Sequence, residues 1–456
     1  MKNALLIFAF LSFYLSSVHA SVEIRSNKLT TGDGLANNSI RYMFQDSKGF
    51  MWMGTVNGLS YYDGNSFVSI YPDPNLPISL ADPRIRNMEE DSNGFLWIAT
   101  LSSLYSCYDL KHGRFVDFTG CGEYKQSYSK KIIASDQSIW LWDNNNGCRR
   151  VVYQDGQFSS QAYKKELGNL SSDKVLFVYE SNDSPGHVWI GTKQGLWKYH
   201  DGKLEAMDTQ GESWEHIFSY DQYTCIITGK KEIYRHSLSN NRLEKIASLT
   251  ELGDTGVITG SLRLQHQWVM FTATGSYILD PVTGKLRRFS RLNIKNGNVT
   301  RDNKGNAWVH NYTGNVWYVN TSTGDIKHFQ FLSSEHLGYI DVERYSIIHD
   351  SRDIIWITTY GNGLFAYDLN TGDLQHFTFE VSHSSHINSN YLQYIIEDRS
   401  GGIWVSSEFS GLSHLEILNK GTLRIYPNGE DASDRSNTIR MLLRGKNGNV
   451  YMANRM

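Results

Sequence analysis

The chain has 456 residues, 44 basic against 47 acidic side chains, a formal net charge of −3, 13% aromatic residues, and 39 Gly against only 7 Pro. So even a charge balance, with no Lys/Arg block and no zinc-type Cys/His spacing, excludes nucleic acid as a partner of this chain, and no metal or cofactor is expected. Abundant aromatics and glycines with little proline point instead to turn-dense, all-β structure.

In chain order, the first segment is a targeting signal. Lys2 supplies a short basic region, residues 4–15 an apolar stretch, and Val18-His19-Ala20 a small-residue cleavage site before Ser21. Residues 1–20 are therefore expected to be a signal peptide that exports the protein to the periplasm. No later stretch approaches the roughly 20 apolar residues of a membrane helix. Cys107, Cys121, Cys148 and Cys225 are too few for a disulfide scaffold in so long a chain. Cys107 and Cys121 can bridge neighbouring strands, but buried free thiols are the expectation.

Residues 22–30 have the pattern of an outer strand without its inner three, and the first complete unit follows. A strand over 40–45 ends at Asp46, whose carboxylate can accept from turn amides, and Gly49 supplies the positive φ that closes the hairpin. The next strand, over 50–54, is apolar on both faces, as a sheet sandwiched between two others requires, with Trp52 filling the wedge. Gly58 makes the second turn, 59–62 the third strand, Asp63-Gly64 the third turn and 66–71 the fourth strand.

That unit recurs at steps of about 36 to 49 residues, the period of a four-stranded propeller blade. Asp91 and Trp97 mark the second copy, Trp189 the fourth, and Trp308, Trp356 and Trp404 later ones; degenerate copies centre on Trp140, Ile226 and Val269. Seven copies fill about 38–330, so a seven-bladed β-propeller over 21–331 is expected. An eighth copy from Asp341, a ninth near Asn390 and a tenth at Asn449 to Ala453 are then expected to be the first blades of a second, incomplete β-propeller over 332–456 with an open sheet edge. Which blade the strand at 22–30 completes is left open between the seventh and a last blade that is missing from this sequence.

The string from Leu29 to Asn38 (LTTGDGLANN), with Asp46-Ser47-Lys48-Gly49, Trp52-Met53-Gly54-Thr55 and Gly58-Leu59, resembles the two-component regulator propeller repeats. Those repeats form the periplasmic sensor half of hybrid two-component systems from Bacteroidetes. The resemblance implies two seven-bladed propellers, an immunoglobulin-like domain, a membrane helix, and then histidine kinase, receiver and DNA-binding domains. It also implies oligosaccharide sensing. The parts after the third blade of the second propeller are absent from this sequence, so it reads as a sensor region without kinase activity of its own, with a downstream sensor half or a homodimer partner completing it.

Two other classes compete with that reading. Asp46-x-x-Gly49-x-x-Trp52 superficially resembles the Asp-box turn of propeller glycosidases, but no pair of acids stands out as catalytic, and no catalytic residue is assigned. A free-standing propeller used as a protein-docking platform is the other alternative, since fold does not fix function.

Geometry narrows the search for a ligand site. The turns joining second to third strands share a rim with the links between blades, and the Asp-x-x-Gly turns share the other rim. The first rim carries Trp142-Asp143-Asn144, His310-Asn311-Tyr312, Tyr360-Gly361-Asn362 and Glu408-Phe409, whose aromatics and amides suit sugars. The same Asn and Gly residues also serve turns as such. A second set lies five residues before the turn aspartates: Arg41, Arg86 and Lys131, with His216 in blade five and Val175 interrupting in blade four. On innermost strands these cations would face the central funnel and suit a uronate or sulfate.

Overall fold

The structure is a computed structural model that describes residues 22–119, 128–181, 184–208, 213–229, 231–254, 257–302, 304–311, 315–330, 346–379, 386–418, 439–444 and 450–454. The expected signal peptide lies outside these residues. No described helix is long and apolar enough to cross a membrane.

Blade one shows how the repeat folds. Ile40–Gln45, Met51–Thr55, Leu59–Tyr62 and Phe67–Ile70 pair in sequence order as an antiparallel sheet. Asp46 Oδ1 accepts from the amides of Lys48 (3.0 Å) and Phe50 (2.9 Å), and Gly49 sits at φ 96°. The other carboxylate oxygen does something the sequence reading did not anticipate: it accepts from the indole N–H of Trp52 at 2.8 Å. Five blades repeat this Asp–Trp bond, at Asp46, Asp91, Asp302, Asp350 and Asp398. Trp52, Trp97, Trp308 and Trp356 are thereby fixed in the packing between successive sheets, each at most 2% exposed.

Among the described residues the strands form nine four-stranded sheets and one separate hairpin. The expectation of a seven-bladed propeller followed by an incomplete second one is corrected: Ile24–Glu416 is one compact unit in which nine blades close a single ring. The expected boundary at 331 and 332 lies outside the described residues, but the blades flanking it stack like any other pair. Trp308 and Val316 pack on Ile355 and Ile357, Phe329 meets Tyr367 with ring centroids 4.9 Å apart, and Lys304 pairs with Asp353.

A second device joins blades at the Asp-turn rim. Ser47 gives its N–H and hydroxyl to the Glu90 carboxylate of the next blade, both at 2.6 Å. Ser135 does the same to Glu180, and Ser351 to Glu397. Across the closure, Arg399 of blade nine occupies the serine position and donates from its N–H to Gln45 of blade one at 2.9 Å. Met51 and Met53 pack on Trp404 and Leu412 there, Ser406 Oγ donates to the Ile40 carbonyl, and the Tyr42 and Tyr394 rings lie 4.6 Å apart.

The outer strand of blade nine is the N-terminal strand Glu23–Leu29, which pairs with Leu412–Leu418. Gly411 makes this possible. It sits at φ +79°, and a Cβ there would lie 2.2 Å from the Leu29 carbonyl oxygen; Gly363 stands in the same relation to Phe377 in blade eight. The first strand therefore takes the fourth-strand place in the ninth blade, which corrects both expected alternatives, the seventh blade and a missing last one.

A second compact unit includes the hairpin Ile439–Arg444 with Val450–Asn454. Its register shifts between Ile439 and Met441 just as blade one shifts between Ile40 and Tyr42, so the expected tenth copy has the pairing of a blade's inner two strands. Cys107, Cys148 and Cys225 are buried free thiols, as expected, while Cys121 lies outside the described residues. Burial pushes the Cys107 and Cys148 thiols well above their ordinary range, so neither is poised as a nucleophile.

Candidate functional site

The innermost strands of blades one and two each carry a β-bulge. Ile40 pairs with Thr55 and Tyr42 with Gly54, leaving Arg41 as the extra residue; Ile85 and Asn87 leave Arg86 in the same way. A bulge frees one residue from the ladder and re-aims its side chain, which here turns a strand position into a rim position. The two arginines line a cavity of about 470 Å³ together with Val56, Arg84, Ile85, Leu101 and Gln393 of blade nine. Val56 and Leu101 stand in the second-to-third-strand turns, and Leu101 N donates to the Arg84 carbonyl of the blade link at 2.8 Å. Turns and links thus share this rim, as the sequence reading held.

The charges around the cavity divide into spent and free. Arg41 donates from Nη2 to Glu408 Oε1 at 3.0 Å, and Glu408 also accepts from the Gln393 amide. Arg84 forks onto Asp82 through Nε at 3.0 Å and Nη2 at 2.8 Å, which holds that carboxyl down at about 2. Arg86 is exposed and has no hydrogen-bond or ion-pair partner among the described residues. Next to Glu408, whose N–H donates to the Tyr391 carbonyl at 3.0 Å, the rim bears Phe409, 72% exposed, and Tyr391, 43% exposed. Tyr360 packs edge-on against Tyr391 at 5.3 Å. Cations, an amide, a carboxylate and exposed aromatic faces therefore run along blades eight, nine, one and two.

Not every expected residue joins this set. Lys131 is corrected: its side chain is 6% exposed and bonded to Glu89 of blade two, so it is an internal ion pair and not a free cation. The reason lies in which residue opens the turn. In blade three, Ala134 and not Asp136 begins the turn, because Ala134 N bonds the Ser138 carbonyl as Asp46 N bonds that of Phe50. Counting from Asp136 therefore displaced the register by two, and the true counterpart of Arg41 is Ser129. By the same registers, Leu176 is the bulged residue in blade four, not Val175, and Glu215, not His216, in blade five. Burial lowers the His216 pKa, leaving its imidazole neutral.

Trp142 is also corrected. It is 6% exposed and packs in the core between blades three and four, so its ring does not face the rim. Asn144 is exposed but stands in blade three, and Asn362 is half-buried, its carbonyl accepting from His376 at 2.6 Å. Tyr312 lies outside the described residues; its neighbour His310 is buried, which lowers its pKa to about 4. Gln393 was missed, although it stands five residues before Asp398 as Arg41 does before Asp46. Assigning its blade to another ring hid it.

Residues 34–57 and 79–102 match the family model described as two component regulator propeller. These segments are two component regulator propeller repeats. They cover the inner two strands of each of the first two blades, the strands that supply Arg41, Arg86 and most of the cavity. No curated protein matches the chain. Among solved structures, the chain is similar to the extracellular domain of the putative one component system BT4673 from B. thetaiotaomicron (15% identity, 94% of this chain and 70% of that one, TM-score 0.38). It is similar also to that of the putative hybrid two component system BT3049 from B. thetaiotaomicron (19% identity, 94% and 70%, TM-score 0.31) and to BamB from Moraxella catarrhalis (12% identity, 86% and 98%, TM-score 0.43). The propeller itself is established by the strand pairing and not by these likenesses.

Proposed function

We propose that this ring is the ligand-sensing region of an exported, periplasmic two-component-type sensor and that it binds an oligosaccharide on the rim of blades eight, nine, one and two. The observation that carries the reading is the unpaired Arg86, beside Arg41, Glu408 and Gln393 and on the same rim as the exposed Phe409 and Tyr391. Sugars are bound by aromatic faces against their C–H surfaces and by fixed polar groups on their hydroxyls. A free guanidinium adds preference for a carboxylate or sulfate on the sugar. The site's acids speak against glycoside cleavage, because a general acid needs a raised pKa. Asp82 is held low by Arg84, and Glu408 is engaged by Arg41 and Gln393.

Calorimetry against a panel of neutral and anionic oligosaccharides tests this. Phe409→Ala is expected to weaken every ligand, and Arg86→Ala to weaken anionic ones about tenfold, the worth of one charge-assisted contact. Affinity unchanged in both variants would refute the rim site, and product released on prolonged incubation would favour a glycosidase instead. The second reading is a docking surface for another protein, favoured by the exposure of Phe409. Pull-down with a downstream sensor half and a test of self-association distinguish it.

A further inference from the structure

The opposite rim carries a second cationic site. In blades two, four and nine an acid near the end of the innermost strand is held by the preceding blade's turn serine: Glu90, Glu180 and Glu397, paired across the hairpin with Leu96, Val188 and Ile403. In blades six and seven that strand-end position holds Arg263 and Arg301, paired across the hairpin with Trp268 and Ala307. The charge at the blade junction is thereby reversed over two consecutive blades.

The two arginines are held differently. Arg263 donates from Nη1 to the Tyr220 carbonyl at 2.7 Å and from Nε to the Gln265 carbonyl at 3.0 Å, with its guanidinium 5.3 Å from the Tyr220 ring centroid. Neutral carbonyls position it without cancelling its charge. Arg301 is exposed and has no partner among the described residues, because blade six makes its hairpin through Gln265 and His266 and offers no turn serine. Both arginines line two adjoining cavities of about 560 and 430 Å³. One is walled by Thr321 and Ser322; the other has the aromatic wall of Phe218 and Trp268, whose rings lie 4.8 Å apart. The buried Trp268 indole N–H has no acceptor among the described residues.

We propose that this trough binds a small organic oxyanion carried on a flat or ring-shaped body, its head on Arg301 and Arg263 and its body against Phe218 and Trp268. Two guanidinium groups free of carboxylates suit a carboxylate, sulfate or phosphate ester, and a fork fixed by carbonyls beside an unbonded one gives both orientation and open donors. The site is separate from the rim of blades eight, nine, one and two, and stands whether or not a sugar binds there.

The test uses the full chain and three probes with a common body, 4-nitrophenyl phosphate, 4-nitrophenyl sulfate and 4-nitrobenzoate, titrated by calorimetry at about 20 and about 500 mM salt, which spans strong to weak screening. At least one probe should bind saturably, more weakly at high salt, and the preferred head assigns the oxyanion. Arg301→Gln, at an exposed and unbonded side chain, should fold normally and weaken that probe about tenfold. Arg263→Lys, which keeps the charge but loses the fork, should weaken it as well. Arg114→Gln, exposed on the outer strand of blade two and part of neither site, should leave it unchanged. Absence of saturable binding for all three probes, equal affinity in Arg301→Gln, or a loss in Arg114→Gln matching that in Arg301→Gln would overturn the proposal.

Discussion

At the scale of the residue, the aspartate that opens the hairpin in five of the blades works with both oxygens. One accepts two main-chain amides and the other an indole N–H, so a single buried carboxylate ties the turn to the wedge of the next interface. Blade three shows the alternative: Ala134 stands at this position, and the Trp140 indole N–H has no acceptor among the described residues. Asp398 shows the electrostatic consequence. Burial pushes its carboxyl up, but His414 (3.5 Å), Ser400, Trp404 and Gly402 outweigh that and hold it well below the usual carboxylate range. A depressed folded pKa contributes stability that is present above the unfolded value, near 4 for a free carboxyl, and is lost as pH falls through the folded one. Asp398→Asn should therefore cost about 2–3 kcal/mol at pH 7, since the amide loses the charge and can set a donor against the Trp404 N–H. Urea unfolding of both proteins at pH 7 and pH 3 checks the sign, because the difference should narrow at the lower pH. An equal difference at both would contradict the assignment.

At the scale of the element, a blade is a sheet buried on both faces, and its edges decide where the ring can close. The outer strand of blade nine comes from the opposite end of the unit and must approach Gly411 closely. Gly411→Ala is expected to cost about 2–4 kcal/mol, because it adds a clash with the Leu29 carbonyl to the strain of a positive φ. Gly49→Ala serves as the comparison. Its φ is also positive, but nothing lies within 4 Å of the added Cβ, so about 1 kcal/mol of backbone strain is expected. Equal losses for the two variants in urea unfolding would show that the N-terminal strand does not lie against Gly411.

At the scale of the whole molecule, ring closure covers the apolar sheet faces that any partial arc leaves without a neighbouring blade. The nine-bladed ring predicts that residues 22–418 form the cooperative unit. A fragment of residues 22–331 would leave the face of Trp308 and Val316 without Ile355 and Ile357, and the face of Met51 and Met53 without Trp404 and Leu412. Size-exclusion chromatography with light scattering should find the shorter fragment self-associating and the longer one monodisperse, with limited proteolysis cutting the shorter one first. A monodisperse, protease-resistant fragment 22–331 would mean that seven blades close on their own.

The sequence by itself determined the unit: a four-stranded blade, its Asp-turn, its glycine turns and its interface tryptophan are all local, set by hydrophobic alternation and by residues whose backbone preferences act within a few positions. It also located the rim and the arginines at 41 and 86, since both follow from counting within one unit. How many units close a ring was decided only by tertiary structure, because the junctions are alike in packing one apolar sheet face on the next and no residue at 331 or 332 marks a boundary in the sequence. Which strand completes which sheet was likewise a matter of pairing between Glu23–Leu29 and Leu412–Leu418, far apart in sequence. The site suffered for the same reason. Gln393 and Glu408 meet Arg41 across the closure, and Lys131 becomes half of an ion pair only when blades two and three stack. Charge at a strand position is legible in one dimension, but whether that charge is free depends on the neighbouring blade.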